Sequence, residues 1–272
     1  MAFGGRRAVL SLTTRFCLPH EGMATLDYLS SGSAVVLRGG PEGASPAVVT
    51  CQHVACPWLF PRYFAATWDW LQFVREDFVR HSLQLLAVGG ARPELLLELP
   101  LAARVHTHES RDLALLTLAD AGAWQRAETE LGLQALTLQQ APAQRGDALL
   151  FSGHRQLDEG LQLPKAVDGR FVGRSAGGQE FAWSRELLEE GMCGGAVIGA
   201  DEQCVGVVEG IVPTIEQGDD EPPRHDREAH AAWEMRTALA GHVAFVPAAE
   251  VRSFIDDPGN LLLTGMDLPP HM

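Results

Sequence analysis

Short runs of apolar and β-branched residues, each bounded by Gly, Pro, Asp or Ser, constrain the fold of this chain most strongly. Their length and spacing predict the strands of an all-β barrel or sandwich. With 272 residues, the chain can form one unit of two barrels or two small domains. The runs occupy residues 32–38, 47–50, 95–99, 113–118, 148–152, 196–198 and 205–208.

The charge of the chain limits the classes of partner that it can bind. The net charge is −14, and the fractions of hydrophobic (46%) and charged (21%) residues are those of an ordinary globular protein. Because a negative field repels nucleic-acid backbones and anionic membrane surfaces, we expect neither as a partner. No segment of the sequence has the apolar length of a membrane span.

Cysteine and histidine spacing gives no indication of a metal site. None of the five cysteines forms a C-x-x-C pair, and His225 and His230 are not spaced i, i+4, so we expect no metal and no cofactor. The cysteine pattern is typical of a reducing compartment, which predicts an intracellular protein, cytoplasmic by default. A mitochondrial location is the alternative, because residues 1–20 contain three arginines and no acid.

One cysteine lies on a glycine-rich turn. Cys193 follows Gly191 and Met192 and precedes Gly194 and Gly195. Such a turn leaves a thiol open to a substrate and can aim successive backbone N–H groups at one point, as an oxyanion hole requires. Cys193 is therefore a candidate nucleophile, and the N–H groups of Gly191 and Cys193 are the candidate oxyanion hole.

A candidate base and a candidate orienting acid lie elsewhere in the chain, each at the edge of an apolar run. In a triad, His53 would take the proton of Cys193 while Asp112 holds the second imidazole nitrogen. Each residue also has a structural interpretation: a small buried cysteine, a core histidine at a strand end, or a turn acid. Asp120 is a weaker rival of Asp112 for the acid.

In their order and spacing, residues 50–53, 112–116 and 191–195 resemble the three motifs of the chymotrypsin-fold (trypsin-like) peptidases. The resemblance covers most of the chain. It implies an all-β fold of two six-stranded antiparallel β-barrels, with the active site in the cleft between them and a short C-terminal helix. Residues 244–247 and 250–255 resemble the last strand and helix of HtrA-type members, here without an accessory domain.

The cysteine at position 193 replaces the serine of most members and is the pattern of the picornavirus-type main proteases, which share the fold. The resemblance therefore implies an endopeptidase that acts on a peptide or protein through Cys193. It also implies a specificity pocket, which we expect to accept an apolar or uncharged side chain. The family places this pocket at Leu187, Leu188, Glu209 and Gly210, with His154 and His242 as conceivable pocket histidines.

The resemblance also divides the chain. Residues 1–121 would form the N-terminal barrel with His53 and Asp112, and residues 122–143 a linker with a helical tendency around 127–136. Residues 144–272 would form the C-terminal barrel with Cys193, an acidic loop at 213–241 and the C-terminal helix.

An aromatic insertion, residues 57–81, interrupts the predicted N-terminal barrel. The helical spacing of Trp70, Phe73, Val74 and Phe78 favours a helix packed on this barrel. The alternative is an exposed aromatic surface that binds a protein partner.

Two other functions remain open. A catalytically silent pseudo-protease would keep the fold as a protein-binding or structural subunit, as the exchange of serine for cysteine and the large insertion suggest. A redox-sensing thiol at Cys193 would undergo reversible sulfenylation without cleaving peptides. The complete set of His53, Asp112 and Cys193 favours the peptidase.

Overall fold

The computed structural model describes residues 8–39, 46–61, 69–88, 93–214, 222, 225–256 and 261–263. This part of the chain is mostly β and contains fourteen strands and four short α-helices. The strands are β1 Val9–Phe16, β2 Asp27–Leu37, β3 Ala47–Thr50, β4 Val79–Val88, β5 Pro93–Pro100, β6 His106–His108, β7 Ala114–Leu116, β8 Ala148–Asp158, β9 Leu161–Arg174, β10 Glu180–Ser184, β11 Ala196–Ile198, β12 Cys204–Ile211, β13 Val243–Pro247 and β14 Leu261–Leu263. The helices are α1 Gln52–Ala55, α2 Ala121–Leu131, α3 Arg227–Leu239 and α4 Ala248–Asp256.

The C-terminal half forms a closed antiparallel barrel of six strands in the order β10-β13-β12-β11-β8-β9. Its longest hairpin, β8–β9, turns at Gly160, whose φ of 69° is accessible to glycine at little cost. Aromatic and β-branched side chains fill the interior, among them Phe151, Phe171 and Phe245. The prediction of a six-stranded barrel is confirmed for this half.

The seven strands of the N-terminal half and β14 form one eight-stranded sheet. Its order is β14-β6-β7-β3-β2-β1-β4-β5, and the sheet is not closed. The edge of β6 that could meet β5 is instead paired with β14, from Leu261↔His108 to Leu263↔His106. One isolated bridge, Leu101↔Leu118, joins the chain just after β5 to the chain just after β7. The prediction of two closed six-stranded barrels is therefore not confirmed for the N-terminal half.

Helix α4 corresponds to the predicted C-terminal helix, and it packs between the N-terminal sheet and the barrel. Its Val251 and Phe254 are buried in one cluster with Val35 and Leu113 of the N-terminal sheet and Val207 of the barrel. Burial of two large apolar side chains contributes about 3–5 kcal/mol to holding the helix in place. The helix thus fixes the barrel against the sheet and, through them, the two sides of the cleft.

The described parts of the aromatic insertion contain 3-10 turns rather than the predicted α-helix: Pro57–Leu59, Asp69–Phe73 and Glu76–Phe78. Leu71 and Val74, three residues apart, are the buried pair, and this spacing matches the three-residue period of a 3-10 turn. Trp70 stacks on Phe16 of β1 at 4.7 Å, whereas Phe73 is half exposed. Packing on the sheet therefore occurs as expected, although Tyr63, Phe64 and Trp68 lie outside the described residues.

Two further segments differ from their prediction. The linker helix α2 begins earlier than expected because the Asp120 carboxylate caps it, accepting from the Gly122 N–H at 2.9 Å. The acidic insertion contains a helix, α3, which is capped in the same way by Asp226. Within the described chain, no helix combines the length and the apolar character needed to span a bilayer.

Candidate active site

The His53 and Asp112 side chains meet at the end of the N-terminal sheet. His53 lies in α1, directly after β3, and Asp112 lies in the loop before β7, the strand that pairs with β3. Asp112 Oδ1 accepts from the His53 backbone N–H at 3.0 Å, and Oδ2 pairs with His53 Nδ1 at 2.5 Å. Both carboxylate oxygens therefore hold the same histidine, one through its backbone and one through its ring.

This pairing fixes the tautomer of the histidine. An ionised carboxylate can only accept, so Nδ1 carries a hydrogen and Nε2 remains for a second partner. Cys193 lines the same cleft as His53 and, after Asp112, is the second residue that stabilises its charged ring. Burial alone would lower the pKa of His53, but its hydrogen bonds to Asp112 and Cys193 and their negative charges outweigh burial and raise the pKa to about 10.

Cys193 lies on the turn before β11 and lines the cleft. Hydrogen bonds from both halves of the molecule fix this turn. Its carbonyl accepts from the Ser33 N–H of β2 at 3.1 Å, and the next N–H, that of Gly194, donates to Val208 O of β12 at 2.8 Å. Gly191 and Gly194 have φ values of 91° and 82°, which L side chains rarely adopt. The sequence motif therefore needs its glycines for backbone conformation.

The N–H groups of Gly191 and Cys193 have no acceptor among the described residues. The adjoining N–H groups of Met192, Gly194 and Gly195 all donate to backbone carbonyls. An oxyanion hole requires unsatisfied N–H groups beside the nucleophile, and these two N–H groups are compatible with that role.

Substitution of Gly194 by alanine is expected to destabilise the fold by about 3 kcal/mol or more. A Cβ at this position would lie 2.1 Å from Ser33 O and 2.2 Å from Thr50 Oγ1, in addition to the strain of φ at 82°. Urea denaturation of the wild-type protein and Gly194→Ala measures the difference. Gly173→Ala is the matched control, since a Cβ there meets nothing within 4 Å; equal stability of the two variants would contradict the packing described.

A second cysteine lies under the same histidine. One ligand atom from each of Cys51, His53 and Asp112 lies within 4.8 Å of the others, a proximity that could support a Cys–His–Asp triad. However, Cys51 is fully buried, its thiol donates to Val208 O at 3.1 Å, and burial raises its pKa well above the usual value. A substrate cannot reach this sulfur, whereas Cys193 is only partly buried and lines the cleft.

The same three side chains are of types that bind zinc. Two ligands of one tetrahedral zinc ion are about 3.4 Å apart at the usual bond lengths. His53 Nδ1 and Asp112 Oδ2 are closer, at 2.5 Å, and share a hydrogen bond. The donor set therefore fits a hydrogen-bonded pair better than a metal centre.

A cleft of about 390 Å³ opens beside the Cys193 thiol. Of the four predicted pocket residues, Glu209 lines it, together with His53, Cys193 and Gly191, whereas the other three do not. Leu188 is buried in the barrel interior and Leu187 is exposed at 65%. The remaining lining residues are Tyr28, Ser30, Ser31, Gly32, Val54, Gln156 and Glu190.

Three of these lining residues form a closed hydrogen-bonded ring. Ser31 Oγ donates to Gln156 Oε1 at 3.1 Å, Gln156 Nε2 donates to Tyr28 OH at 3.0 Å, and the two hydroxyls lie 2.9 Å apart. The ring joins β2 to β8 across the cleft wall and holds polar groups where a substrate would lie. Nothing in the sequence distinguishes these residues, because β2 and β8 come together only in the folded protein.

Neither conceivable pocket histidine lines the cleft. His154 is buried, and burial lowers its pKa to about 4, so it stays neutral at physiological pH. The His242 ring pairs with Leu239 O at 3.1 Å. An aromatic neighbour does reach the site: Phe60, from the aromatic insertion, meets the His53 ring edge-on with centroids 6.2 Å apart.

The pairing of His53 makes the stability of the fold depend on pH. Since folding raises the pKa of His53 from 6.5 to about 10, the resulting stabilisation is complete below pH 6.5 and is lost as pH rises through 10. The excess unfolding free energy of the wild type over Asp112→Asn should therefore decrease from pH 6 to pH 10. Urea denaturation across this range measures it; a constant or rising difference would contradict a charged His53 in the fold.

Neither of two comparisons with known proteins identifies a relative of this chain. No protein-family model matches the chain, and a search of curated proteins finds no significant match. The functional conclusion therefore depends on the site itself: a Cys–His–Asp group beside a closed antiparallel barrel and a second sheet, an arrangement compatible with a chymotrypsin-like fold.

Proposed function

We propose that the chain is a cysteine endopeptidase of chymotrypsin-like fold, in which His53 is the base, Asp112 the orienting acid and Cys193 the nucleophile. The observation that carries the proposal is the bonding of His53. Both oxygens of Asp112 hold this residue, and His53 lines the cleft together with Cys193, the one cysteine among its described lining residues. A buried structural histidine would need no exposed thiol as a partner.

The chemistry follows from the hydrogen-bonding roles. The proton of the Cys193 thiol is held on His53 Nε2, whose raised pKa favours the charged ring, and Asp112 stabilises this imidazolium. The thiolate attacks the peptide carbonyl carbon, and the oxyanion turns toward the N–H groups of Gly191 and Cys193, each worth about 3 kcal/mol. The C–N bond then breaks as His53 returns the proton to the leaving amine, and water hydrolyses the remaining thioester.

A thiol nucleophile suits a reducing compartment. All five cysteines of the chain are free, and each of those away from the cleft is wholly or partly buried. This supports the proposal of an intracellular, cytoplasmic enzyme, since an oxidising environment would convert a reactive thiol to a disulfide or sulfenic acid.

A peptide library tests the proposed activity. The wild-type protein and His53→Ala are incubated with a degenerate peptide mixture, and new termini are identified by mass spectrometry. We expect cleavage by the wild type at sites sharing a preferred side chain, and none above background by His53→Ala. Absence of new termini with folded wild-type protein and a free Cys193 would favour the silent pseudo-protease instead.

A further inference from the structure

The Asp112 carboxylate has few restraints of its own. Among the residues that the structure describes, it accepts hydrogen bonds only from His53, so no third side chain fixes its orientation. Its position therefore depends on the loop that carries it, between β6 and β7. Whatever holds this loop also sets the distance between Asp112 and His53.

Arg111, directly before Asp112, is held from the other half of the molecule. Its Nε donates to Glu250 Oε2 at 2.5 Å, and its Nη2 donates to Glu250 Oε1 at 2.7 Å. Nη2 also donates to Gly177 O at 2.5 Å. Glu250 lies on α4 and Gly177 in the turn between β9 and β10. The Arg111 side chain is 20% exposed and that of Glu250 31%, so this pair with two hydrogen bonds is partly shielded from water.

A second residue beside the loop, His108 at the end of β6, also contacts α4. His108 Nδ1 accepts from the N–H groups of Ser110 and Arg111, both at 3.2 Å, and its backbone N–H donates to Leu113 O at 3.0 Å. The His108 ring packs against Phe254 of α4, with centroids 5.1 Å apart. His108 and Arg111, which both precede Asp112, thus fix this part of the chain to α4.

We propose that Arg111 is a positioning residue: through its bidentate pair with Glu250, the docking of α4 onto the sheet holds Asp112 against His53. The proposal depends on the proposed function of His53 and Cys193. It makes Glu250 a support of the active site, while the rest of α4 has a structural role. A displacement of about 1 Å at a catalytic group can reduce the rate a hundredfold, so a loosened loop has a measurable effect.

Helix α4 supplies a matched control. Arg252 donates to Leu138 O at 3.1 Å and to Gln139 O at 3.0 Å, so it also docks the helix but does not contact the Asp112 loop. Loss of either arginine or of Glu250 weakens the docking of α4. Of these three residues, only Arg111 and Glu250 act on the loop that carries the acid.

The experiment measures the rate of Cys193 alkylation by iodoacetamide at pH 6, with peptide mapping, and the low-field proton resonance of His53 Nδ1–H. Glu250→Gln and Arg111→Lys are expected to slow alkylation about 10- to 100-fold and to shift or broaden the resonance. Arg252→Met should leave both within twofold of the wild type, at a similar loss of unfolding free energy. Arg111→Lys keeps the positive charge but lacks the planar guanidinium that forms two hydrogen bonds with one carboxylate. It therefore separates the effect of bidentate geometry from the effect of charge.

Equal alkylation rates in Glu250→Gln, Arg252→Met and the wild type would overturn the proposal, provided that His53→Ala slows the reaction. If His53→Ala has no effect, the proposed function itself fails, and the two outcomes are distinct. If Arg111→Lys does not fold, Glu250→Gln still tests the proposal. We expect this variant to fold, because its amide keeps one acceptor for the guanidinium and preserves the size of the side chain.

Discussion

Hydrolysis of a cleaved library peptide is expected to fall about a million-fold in Cys193→Ala, to the uncatalysed background. Among the described residues, Cys193 is the cysteine that lines the cleft with His53, and it lies beside the unsatisfied N–H groups of the turn. Without it, no acyl-enzyme forms, and the remaining groups only bind the substrate. The rate is measured with the peptide found in the library screen, at saturating and limiting concentrations.

Cys51→Ala is the control for this loss. Cys51 lies close to His53 and Asp112 but is fully buried, and its thiol bonds a backbone carbonyl. We expect this variant to keep activity within about tenfold, with a loss of about 1 kcal/mol in stability. Abolition of activity by Cys51→Ala with Cys193→Ala active would instead assign the nucleophile to Cys51. Cys193→Ser should retain a reduced rate if the triad geometry is intact.

The second large effect is expected for Asp112→Asn, which should lower kcat about 100- to 10,000-fold at neutral pH. An asparagine amide would present an N–H to His53 Nδ1, and this forces the hydrogen onto Nε2, where the Cys193 proton must go. The charge that keeps the pKa of His53 near 10 is also removed. Because a thiol needs its orienting acid less than a serine does, we expect the lower end of this range.

Asp120→Asn is the matched change for this prediction. Asp120 is the other acid considered from the sequence; it caps α2 and pairs with Arg126 on the surface. Its replacement should leave kcat unchanged, since Asn also caps helices well. The kcat and KM of both variants are compared; an Asp112→Asn enzyme with unchanged kcat would show that the acid has no role in the reaction.

Sequence patterns predicted the local parts of the fold well. Strands β3 and β11 have the predicted limits, and α4 extends the predicted helix by a few residues. The open sheet could not be foreseen, because β14 pairs with β6 across about 150 residues of chain and takes the edge that would close a barrel. β9 was missed because Pro164, Lys165 and Asp168 interrupt its apolar pattern.

Motif order also pointed to residues that lie near one another: His53 and Asp112 are hydrogen-bonded, and His53 and Cys193 line the same cleft. Each motif is short, and its residues are next to each other in sequence, so a pattern can identify it. The cleft wall and the loop restraints are different. Tyr28 with Gln156, and Arg111 with Glu250, lie more than 100 residues apart and meet only through the packing of the two halves.

The most direct test of the central claim is the pH dependence of Cys193 alkylation in the wild type and in His53→Ala, followed by mass spectrometry of the Cys193 peptide. Paired with His53, the thiol should be alkylated much faster in the wild type than in His53→Ala below pH 7. His53→Ala should lose this reactivity and follow an ordinary thiol. Equally slow alkylation of both proteins below pH 7 would contradict an activated Cys193 and, with it, the peptidase mechanism.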